Sequence, residues 1–489
     1  MLKTIIAREF LNNILNLRFT IGLVLCIIIT VACIVILTHD YQQEMVEYHL
    51  RVNSQDEFVS NYAYLRRLAW MVTPQKQPEQ FRPLIVGIPV NVDFEPFDDN
   101  PIPILFSSLD FLFIVTIIMS LLAILFSYDA IAGERQSGTL RLVISNSISR
   151  TTILLGKFIG GAISLVIPFV LSLLAGAIYI SINPAVQWDG SAWLALALLT
   201  AASITFITSF YLLGLMVSTF SRYSATSILN CLFLWVLLIL VIPNISPYIS
   251  AQLYRIPSIK EIERQNEESA RNSMKVYRDR INEIAKKFKN NYGELFSEFE
   301  SMNFGGIGRV GRVEPKHRKA AQQRAATDPE FKAMMDEFHQ ETEKALEFVR
   351  SMPKESDKLK KDMERKAALQ TKLAKKLACI SPLANFVYVA RDLTGTGLRS
   401  LKYFNQAKNE YNGQLSSYMD KKKQDAIEKN PIFEIVSFLD VSDRPRFVFK
   451  EESLRGKLNS VLPYWGILVL FNVVFFAAAF AGFMIYDVR

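Results

Sequence analysis

Cysteine is scarce in this chain of 489 residues, with only four copies. Three of them, Cys26, Cys33 and Cys231, lie inside long apolar runs, where a small apolar side chain is the simplest interpretation. Cys379 stands alone outside those runs. This spacing excludes the framework of a small disulfide-bonded protein.

Histidine is equally rare, and the sequence offers little to hold a metal ion. His39 and His49 flank Glu44 and Glu47, which is a set of metal-binding residue types. At about 100° per residue, however, the two histidines do not share one face of a helix. The sequence therefore argues against a metal site.

No phosphate-binding loop of the type G-x-x-x-x-G-K-[ST] occurs in the chain. The run Gly156–Phe158 contains Gly-Lys but lacks the leading glycine and the hydroxyl residue. Gly306, Gly308 and Gly311 spell G-x-G-x-x-G, yet they follow a helical pattern where a dinucleotide site requires a strand. We therefore expect no nucleotide and no cofactor to bind to this chain.

Apolar residues, by contrast, are abundant and gathered in blocks. Half of the residues are hydrophobic and mean hydropathy is +0.19, although 21% of the residues are charged. A bilayer core of about 30 Å needs about 20 helical residues, and six charge-poor windows reach that length. The sequence predicts an all-α membrane protein with six transmembrane helices and a large helical, partly coiled-coil extracytoplasmic domain between spans five and six. The predicted segments are an amphipathic interfacial helix at 1–18, span one at 19–38, an extracytoplasmic loop at 39–101, span two at 102–127, a cytoplasmic connector at 128–157, span three at 158–182, span four at 191–217, span five at 224–247, the extracytoplasmic domain at 255–457 and span six at 461–486.

Basic residues in the short loops indicate the orientation. Lys3, Arg8 and Arg18 precede span one, and Arg222 separates spans four and five. The short loop between spans three and four contains Asp189 but neither Lys nor Arg. By the positive-inside rule, both termini and the connector are predicted to be cytoplasmic. The net charge of +8 then indicates basic surface facing lipid and protein partners, and not nucleic acid.

The long segment between spans five and six has two apolar seams. Residues 270–288 and 331–349 place apolar side chains at alternating spacings of four and three, which predicts coiled-coil packing of two or three helices. Ser258 with Glu261 predicts one helix start, and Asp328 another.

The later stretch at 380–400 is apolar but contains Arg391 and Asp392, so it is too broken to span the bilayer. We expect it to lie at the outer membrane surface or to pack the domain against the spans.

Asp110 is a carboxylate close to the outer end of span two. Such residues usually face a protein interior or a water-filled cavity, but a solvated position in the interface zone explains it equally well. The sequence leaves these two alternatives open.

The connector between spans two and three, Tyr128–Lys157, is too short to be a domain. It is long enough for one or two short helices across the membrane face, where a soluble partner could push on them. A structural alternative is a charged turn that only holds the two spans apart.

Several motifs in and around the connector resemble a known family. Asp110 begins D-F-L-F-I-V, Tyr128 begins Y-D-A-I-A-G-E-R-Q-S-G-T-L-R-L, and S-I-S-R and L-L-G-K-F follow. Together they resemble permease subunits of ABC transporters of the type-2 exporter class. The branch resembled contains the nitrous-oxide-reductase maturation and gliding-motility permeases. Leu383–Leu398, ending in T-G-T-G-L, is similar to members with enlarged extracytoplasmic loops.

The resemblance implies a multi-pass protein of the bacterial cytoplasmic membrane that is not itself an enzyme. Two permease copies, identical or related, would work with two cytoplasmic ATPase subunits, which carry the ATP and Mg²⁺. Membrane lipid and an extracytoplasmic protein are the other expected partners. The expected function is ATP-driven export of a lipid, peptide or other amphiphile. The alternative is mechanotransmission, in which ATP hydrolysis drives an extracytoplasmic partner and nothing crosses. By the same resemblance, the ATPase-coupling residues would be Asp129, Gly133, Glu134, Gly138, Thr139, Arg141 and Arg150.

Overall fold

The structure is a computed structural model, and helix dominates the part of the chain it describes. That part contains no strand. Six of its helices are long and apolar enough to cross a membrane. The predicted all-α fold with six membrane helices is therefore confirmed, and the chain is a multi-pass membrane protein. Coiled-coil pairing and orientation stay predictions. The described residues are 2–62, 72–87, 109–145, 148–256, 259–302, 323–351, 355–429 and 440–485.

The six membrane helices overlap the predicted windows, and several extend beyond them. In chain order they are Phe19–Val59, Phe111–Gln136, Arg150–Ile182, Gly190–Phe220, Ser224–Leu253 and Leu454–Ile485. The second of these ranges comprises the membrane helix proper, which ends at Ser127, and the short connector helix Ala132–Gln136. The other helices are Leu2–Ile14 and Thr139–Ser145 before span three, and Ile259–Tyr292, Glu294–Met302, Pro329–Ser351, Glu355–Ala378, Pro382–Thr394 and Leu398–Lys429 after span five.

Span one belongs to a single helix, Leu17–Tyr62, of 46 residues. It continues through the first part of the predicted loop because that part contains no proline or glycine. Val59 near its end is fully buried against Tyr411 and Leu415 of the helix Leu398–Lys429.

The helix of span two begins at Phe111, with Asp110 as its N-cap, and residues 102–108 of the predicted window lie outside the described part. The Asp110 carboxylate is buried and accepts hydrogen bonds from the backbone N–H groups of Phe113, at 2.9 Å, and Val86, at 3.3 Å. It thus caps the helix and fastens the preceding turn to it. The helix then passes through a π-helical turn, Ile114–Met119, into Ser120–Ser127.

One compact unit contains residues 1–246 and 375–489, and spans four and six pack together within it. The helix Pro382–Thr394 lies against both of them, and Phe386 stacks on Phe206 of span four with ring centroids 4.9 Å apart. Asn385, fully buried, donates to the carbonyl oxygens of Cys379 and Ser381. Residues 380–400 were expected either to lie at the outer membrane surface or to pack the domain against the spans. The helix Pro382–Thr394 packs against the spans.

The second compact unit, residues 247–374, has an aromatic core of its own. The helices Ile259–Tyr292, Glu294–Met302 and Pro329–Ser351 meet around it. Asp328 accepts hydrogen bonds from the N–H groups of Glu330 and Phe331 and so caps the last of these helices, whereas Ser258 lies outside the described residues. The core side chains include Phe288, Phe296, Phe299, Phe331, Met334 and Phe338.

One of the two boundaries between the units lies within span five, and the other falls inside the predicted domain at 255–457. Residues from Lys375 onward cluster with the membrane helices. The physical reason is the apolar face of Pro382–Thr394, which is buried among the spans and not among the seams.

Candidate functional site

The connector forms two short helices, Ala132–Gln136 and Thr139–Ser145, joined at Gly138. Gly138 has φ of 76°, in the left-handed region that glycine adopts without a steric penalty. A Cβ atom there would meet nothing within 4 Å, so the turn requires glycine for its backbone angle and not for space.

Arg135 fastens the first connector helix to the end of span four. Its guanidinium donates hydrogen bonds to the carbonyl oxygens of Thr219 and Ser221, both at 2.9 Å. Span four ends at Phe220, and the last carbonyls of a helix have no partner within it. Arg135 therefore completes this helix end from outside.

At the start of the connector helix, backbone groups of the connector bond to a side chain of span four. The hydroxyl oxygen of Ser218 accepts hydrogen bonds from the N–H groups of Ile131, at 3.1 Å, and Ala132, at 2.9 Å. Ser227, in span five, donates to the carbonyl oxygen of Tyr128 at 2.7 Å. The connector is thus held by the ends of two other spans.

Lys157 is the most buried charge of the site, with a side chain only 4% exposed. Its ammonium group contacts the carboxylates of Glu9, at 2.8 Å, and Glu134, at 2.7 Å. One cation thus joins the N-terminal helix, the connector and span three. Two carboxylates share it, and atom Oε2 of Glu134 is buried without a hydrogen-bond partner in the part of the chain that the structure describes.

The N-terminal helix Leu2–Ile14 packs closely on span three because glycines face it. A Cβ on Gly156 would lie 2.5 Å from Cγ2 of Ile5, and one on Gly160 would lie 2.8 Å from Cβ of Glu9. Neither side chain could be added without moving the helix. The predicted amphipathic helix is therefore packed against protein along this face.

Arg150 caps the last turn of span six. Its guanidinium donates to the carbonyl oxygens of Phe483, at 3.2 Å, and Met484, at 2.8 Å. The N-terminus of span three thereby holds the C-terminus of span six.

An exposed surface remains on the connector after these bonds are made. It comprises the turn Gln136–Thr139 and the side chains of Arg141 and Leu142, the last 67% exposed, while Leu140 between them is fully buried. Arg141 makes no hydrogen bond or ion pair within the described ranges. We call these residues, 136–139 with Arg141 and Leu142, the exposed connector face.

The structure divides the residues selected from the sequence into three groups. Gly138, Thr139 and Arg141 lie on the exposed connector face, and Glu134 and Arg150 bond to other helices. Asp129 and Gly133 are half-buried behind it, and a Cβ on Gly133 would lie 3.5 Å from both Asp129 Cβ and Ser224 Oγ.

Sequence reasoning did not select Glu9, Arg135 or Lys157 as site residues. The available signal was a lysine inside an apolar run, since such charges are rare in membrane helices and usually paired. Its partners were not visible, because Glu9 is 148 residues away in the chain.

No cluster of three or more His, Cys, Asp or Glu side chains that could hold a metal ion occurs among the residues with described positions.

The described part of the chain thus combines six membrane helices with a short folded connector between spans two and three. Residues 3–488 match the model of the family described as "ABC-2 family transporter protein", and the chain belongs to this family. It is thus an ABC transporter membrane subunit, as its motifs predict.

Two curated relatives are similar over short stretches, and both are described as "Probable ABC transporter permease protein NosY". The protein of Stutzerimonas stutzeri is 38% identical over 69 residues, 14% of this chain and 25% of the relative. That of Pseudomonas aeruginosa PAO1 is 47% identical over 47 residues, 10% of this chain and 17% of the relative. The matched stretches thus cover a quarter or less of either relative.

Proposed function

We propose that this chain is a permease subunit that couples ATP hydrolysis, performed by a separate cytoplasmic ATPase, to export of a lipid, peptide or other amphiphile. Two permease copies would act with two ATPase subunits in a bacterial cytoplasmic membrane, with both termini and the connector on the cytoplasmic side. ATP and Mg²⁺ belong to the ATPase in this proposal.

The observation that carries the proposal is the contrast between the two sides of the connector. One side is exposed and offers Arg141 and Leu142, a charge and an apolar side chain suited to contact with a soluble protein. The other side is bonded to the N-terminal helix and to spans three and four through Lys157 and Arg135. A partner that pushes on the exposed face therefore acts on several helices at once.

The bonds indicate how such a push is transmitted. Movement of the connector helix Ala132–Gln136 displaces Glu134, and with it Lys157 and Glu9. The same movement pulls on the carbonyl groups at the end of span four through Arg135. Because packed helices respond by small sliding or rotation and not by continuous deformation, the spans are expected to shift as bodies.

The experiment is co-purification of the full-length chain with its ATPase from membranes of the native host. The ATPase is identified by a G-x-x-x-x-G-K-[ST] sequence and by ATP hydrolysis in the eluate. The double variant Arg141→Glu with Leu142→Glu should lose most of the associated activity. Arg271→Glu, on an exposed arginine of the second unit, is the matched control. Equal ATPase recovery with the connector variant and the control would contradict the proposal.

A second candidate is mechanotransmission to an extracytoplasmic protein. It is favoured by the second unit, residues 247–374, whose helices Ile259–Tyr292 and Pro329–Ser351 close around their own aromatic core. Proteoliposomes containing the permease and its ATPase discriminate the two functions. ATP-dependent movement of labelled lipid or peptide supports export. ATP hydrolysis that responds to an extracytoplasmic partner, with no movement of either label, supports mechanotransmission.

A further inference from the structure

A cavity of about 530 Å³ lies at the opposite end of span four from the connector. Its lining includes Asp189, Ser191, Ala192 and Ala195, at the start of that helix. Span four has 31 residues, so at 1.5 Å per residue the cavity is roughly 45 Å from the connector. The cavity belongs entirely to the unit that contains the spans.

Buried side chains form part of the cavity lining. Ala192, Ala195 and Leu393 line it, and all three are buried, with at most 3% of their surface exposed. All three belong to the hydrophobic core that contains side chains of spans four and six. The cavity therefore borders packed core side chains.

Two segments without helix or turn, residues 72–79 and 445–453, contribute to its walls. Within the described part of the chain, no backbone–backbone hydrogen bond reaches residues 74–78 or 446–452. Backbone that is extended and has unpaired N–H and C=O groups is a template for pairing with another extended chain. The second segment offers such donors and acceptors to a ligand, whereas Pro74 and Pro78 in the first have no N–H to donate.

Exposure alternates from residue to residue over 445–450 in the second wall segment, which indicates an extended backbone. Phe447 and Phe449 both contact the ring of Phe404, with centroids 5.8 and 5.5 Å away. Since side chains alternate in an extended chain, Val448 points the other way and is 72% exposed. A ligand strand would meet a wall that needs little ordering, which favours binding.

The charges of the cavity select the side chains of the ligand. Glu452 is paired with Arg399, at 2.6 Å, and Glu451 with Lys457, at 3.0 Å. Asp189 has no cationic partner within the described ranges and is exposed. Hydrogen bonds from the N–H of Ala192 and the hydroxyl of Ser191 hold its pKa below the usual range, so it is charged at neutral pH.

We propose that this cavity binds a short, extended and basic segment of another protein, with main-chain hydrogen bonds to the wall segments and a Lys or Arg side chain at Asp189. The volume lies within the roughly 300–1,000 Å³ of ligand pockets, which accommodates a few residues and not a folded domain. This inference concerns a partner site at the far end of the molecule and does not depend on the ATPase proposal.

The test uses the full-length protein in lipid nanodiscs and fluorescent pentapeptides with blocked ends, read by fluorescence anisotropy. The probe is Val-Lys-Val-Lys-Val. Its comparison peptides are Val-Glu-Val-Glu-Val, and the lysine peptide N-methylated at its second and fourth amides. We expect the acidic and the N-methylated peptides each to bind at least about tenfold more weakly, because one loses charge complementarity and the other loses main-chain donors.

Variants locate the binding. Ser191→Trp fills the cavity and should abolish binding, while Ser417→Trp, at an exposed serine on the helix Leu398–Lys429, should not change it. Asp189→Asn keeps a good helix cap but removes the charge, so the lysine peptide should bind about three- to fivefold more weakly. Asp420→Asn is the matched control.

Three outcomes overturn the proposal. They are unchanged binding to the Ser191→Trp protein, equal affinity for the N-methylated peptide, and displacement of the peptide by spermidine at equal concentration. The last would assign the cavity to small amines. The proposal is supported if Ser191→Trp abolishes peptide binding, Ser417→Trp does not, and N-methylation of the peptide weakens its binding.

Discussion

Replacing Lys157 tests the connection between the N-terminal helix, the connector and span three most directly. Lys157→Met keeps the length of the side chain but removes the charge that Glu9 and Glu134 share. Removing one partner of a fully buried ion pair costs about 3–5 kcal/mol, because the remaining charge is left uncompensated. The two glutamate side chains here are 20% and 29% exposed, so we expect a smaller loss, about 2–3 kcal/mol.

The same reasoning ranks the related variants. Glu9→Gln should cost much less than Lys157→Met, because Glu134 still pairs with the lysine and the excess negative charge is removed. The triple variant with methionine at position 157 and glutamine at positions 9 and 134 should recover most of the lost stability, since no buried charge remains.

Stability is measured as the temperature at which the detergent-solubilised protein loses its monodisperse peak. Trypsin cleavage after Arg8, an exposed residue of the N-terminal helix, reports the detachment of that helix. Lys157→Met should lower this temperature and accelerate the cleavage after Arg8. A Lys157→Met protein as stable as the unmodified one, or a triple variant no more stable than Lys157→Met, would refute the electrostatic explanation.

Two further predictions follow from close contacts. Gly156→Val drives a side chain into Ile5 and should release the N-terminal helix to trypsin, whereas Gly466→Val, in span six with nothing within 4 Å of its Cβ, should not. The hydrogen bond from Arg399 lowers the pKa of Glu452 in the folded protein. This pair therefore stabilises the wall segment fully at a pH above the pKa of glutamate in the unfolded chain, about 4.3. The stabilisation is lost as the pH falls through the lower pKa of Glu452 in the folded protein. A spin label on the wall segment should therefore become mobile only in acid. Arg399→Gln should make the label mobile at neutral pH as well. A label whose mobility changes neither in acid nor in this variant would contradict the assignment.

The membrane helices were predictable because each is a long run of apolar residues, a property of neighbours in the chain. The connector was predictable for the same reason, as the short polar interval between two such runs. Its most consequential bonds were not, because Arg135 and Arg150 act on carbonyl groups at the ends of spans four and six. Any helix end offers such carbonyls, and the sequence does not state which end an arginine will reach.

The division of the segment after span five was missed for a related reason. Residues 382–394 show an apolar face, but an apolar face does not identify its partner. Here the partner is span four, through Phe206 and Phe386, and not the seams that precede it in the chain. Similarly, Asp110 was recognised as unusual from sequence, while its role as a helix cap required the position of Phe113.

The uninterrupted helix Leu17–Tyr62 has a mechanical consequence. Its 46 residues measure roughly 69 Å, so roughly 35–40 Å extend beyond a bilayer core of about 30 Å. A tilt of only about 5° at the membrane would therefore swing the far tip by roughly 3 Å. Near that tip, Asp56 pairs with Arg444, the residue that directly precedes the cavity wall segment 445–453. Its other end follows the N-terminal helix held by Lys157. Through the length of this helix, a change in its angle that is too small to disturb the packing of the spans displaces the tip by about the length of a hydrogen bond.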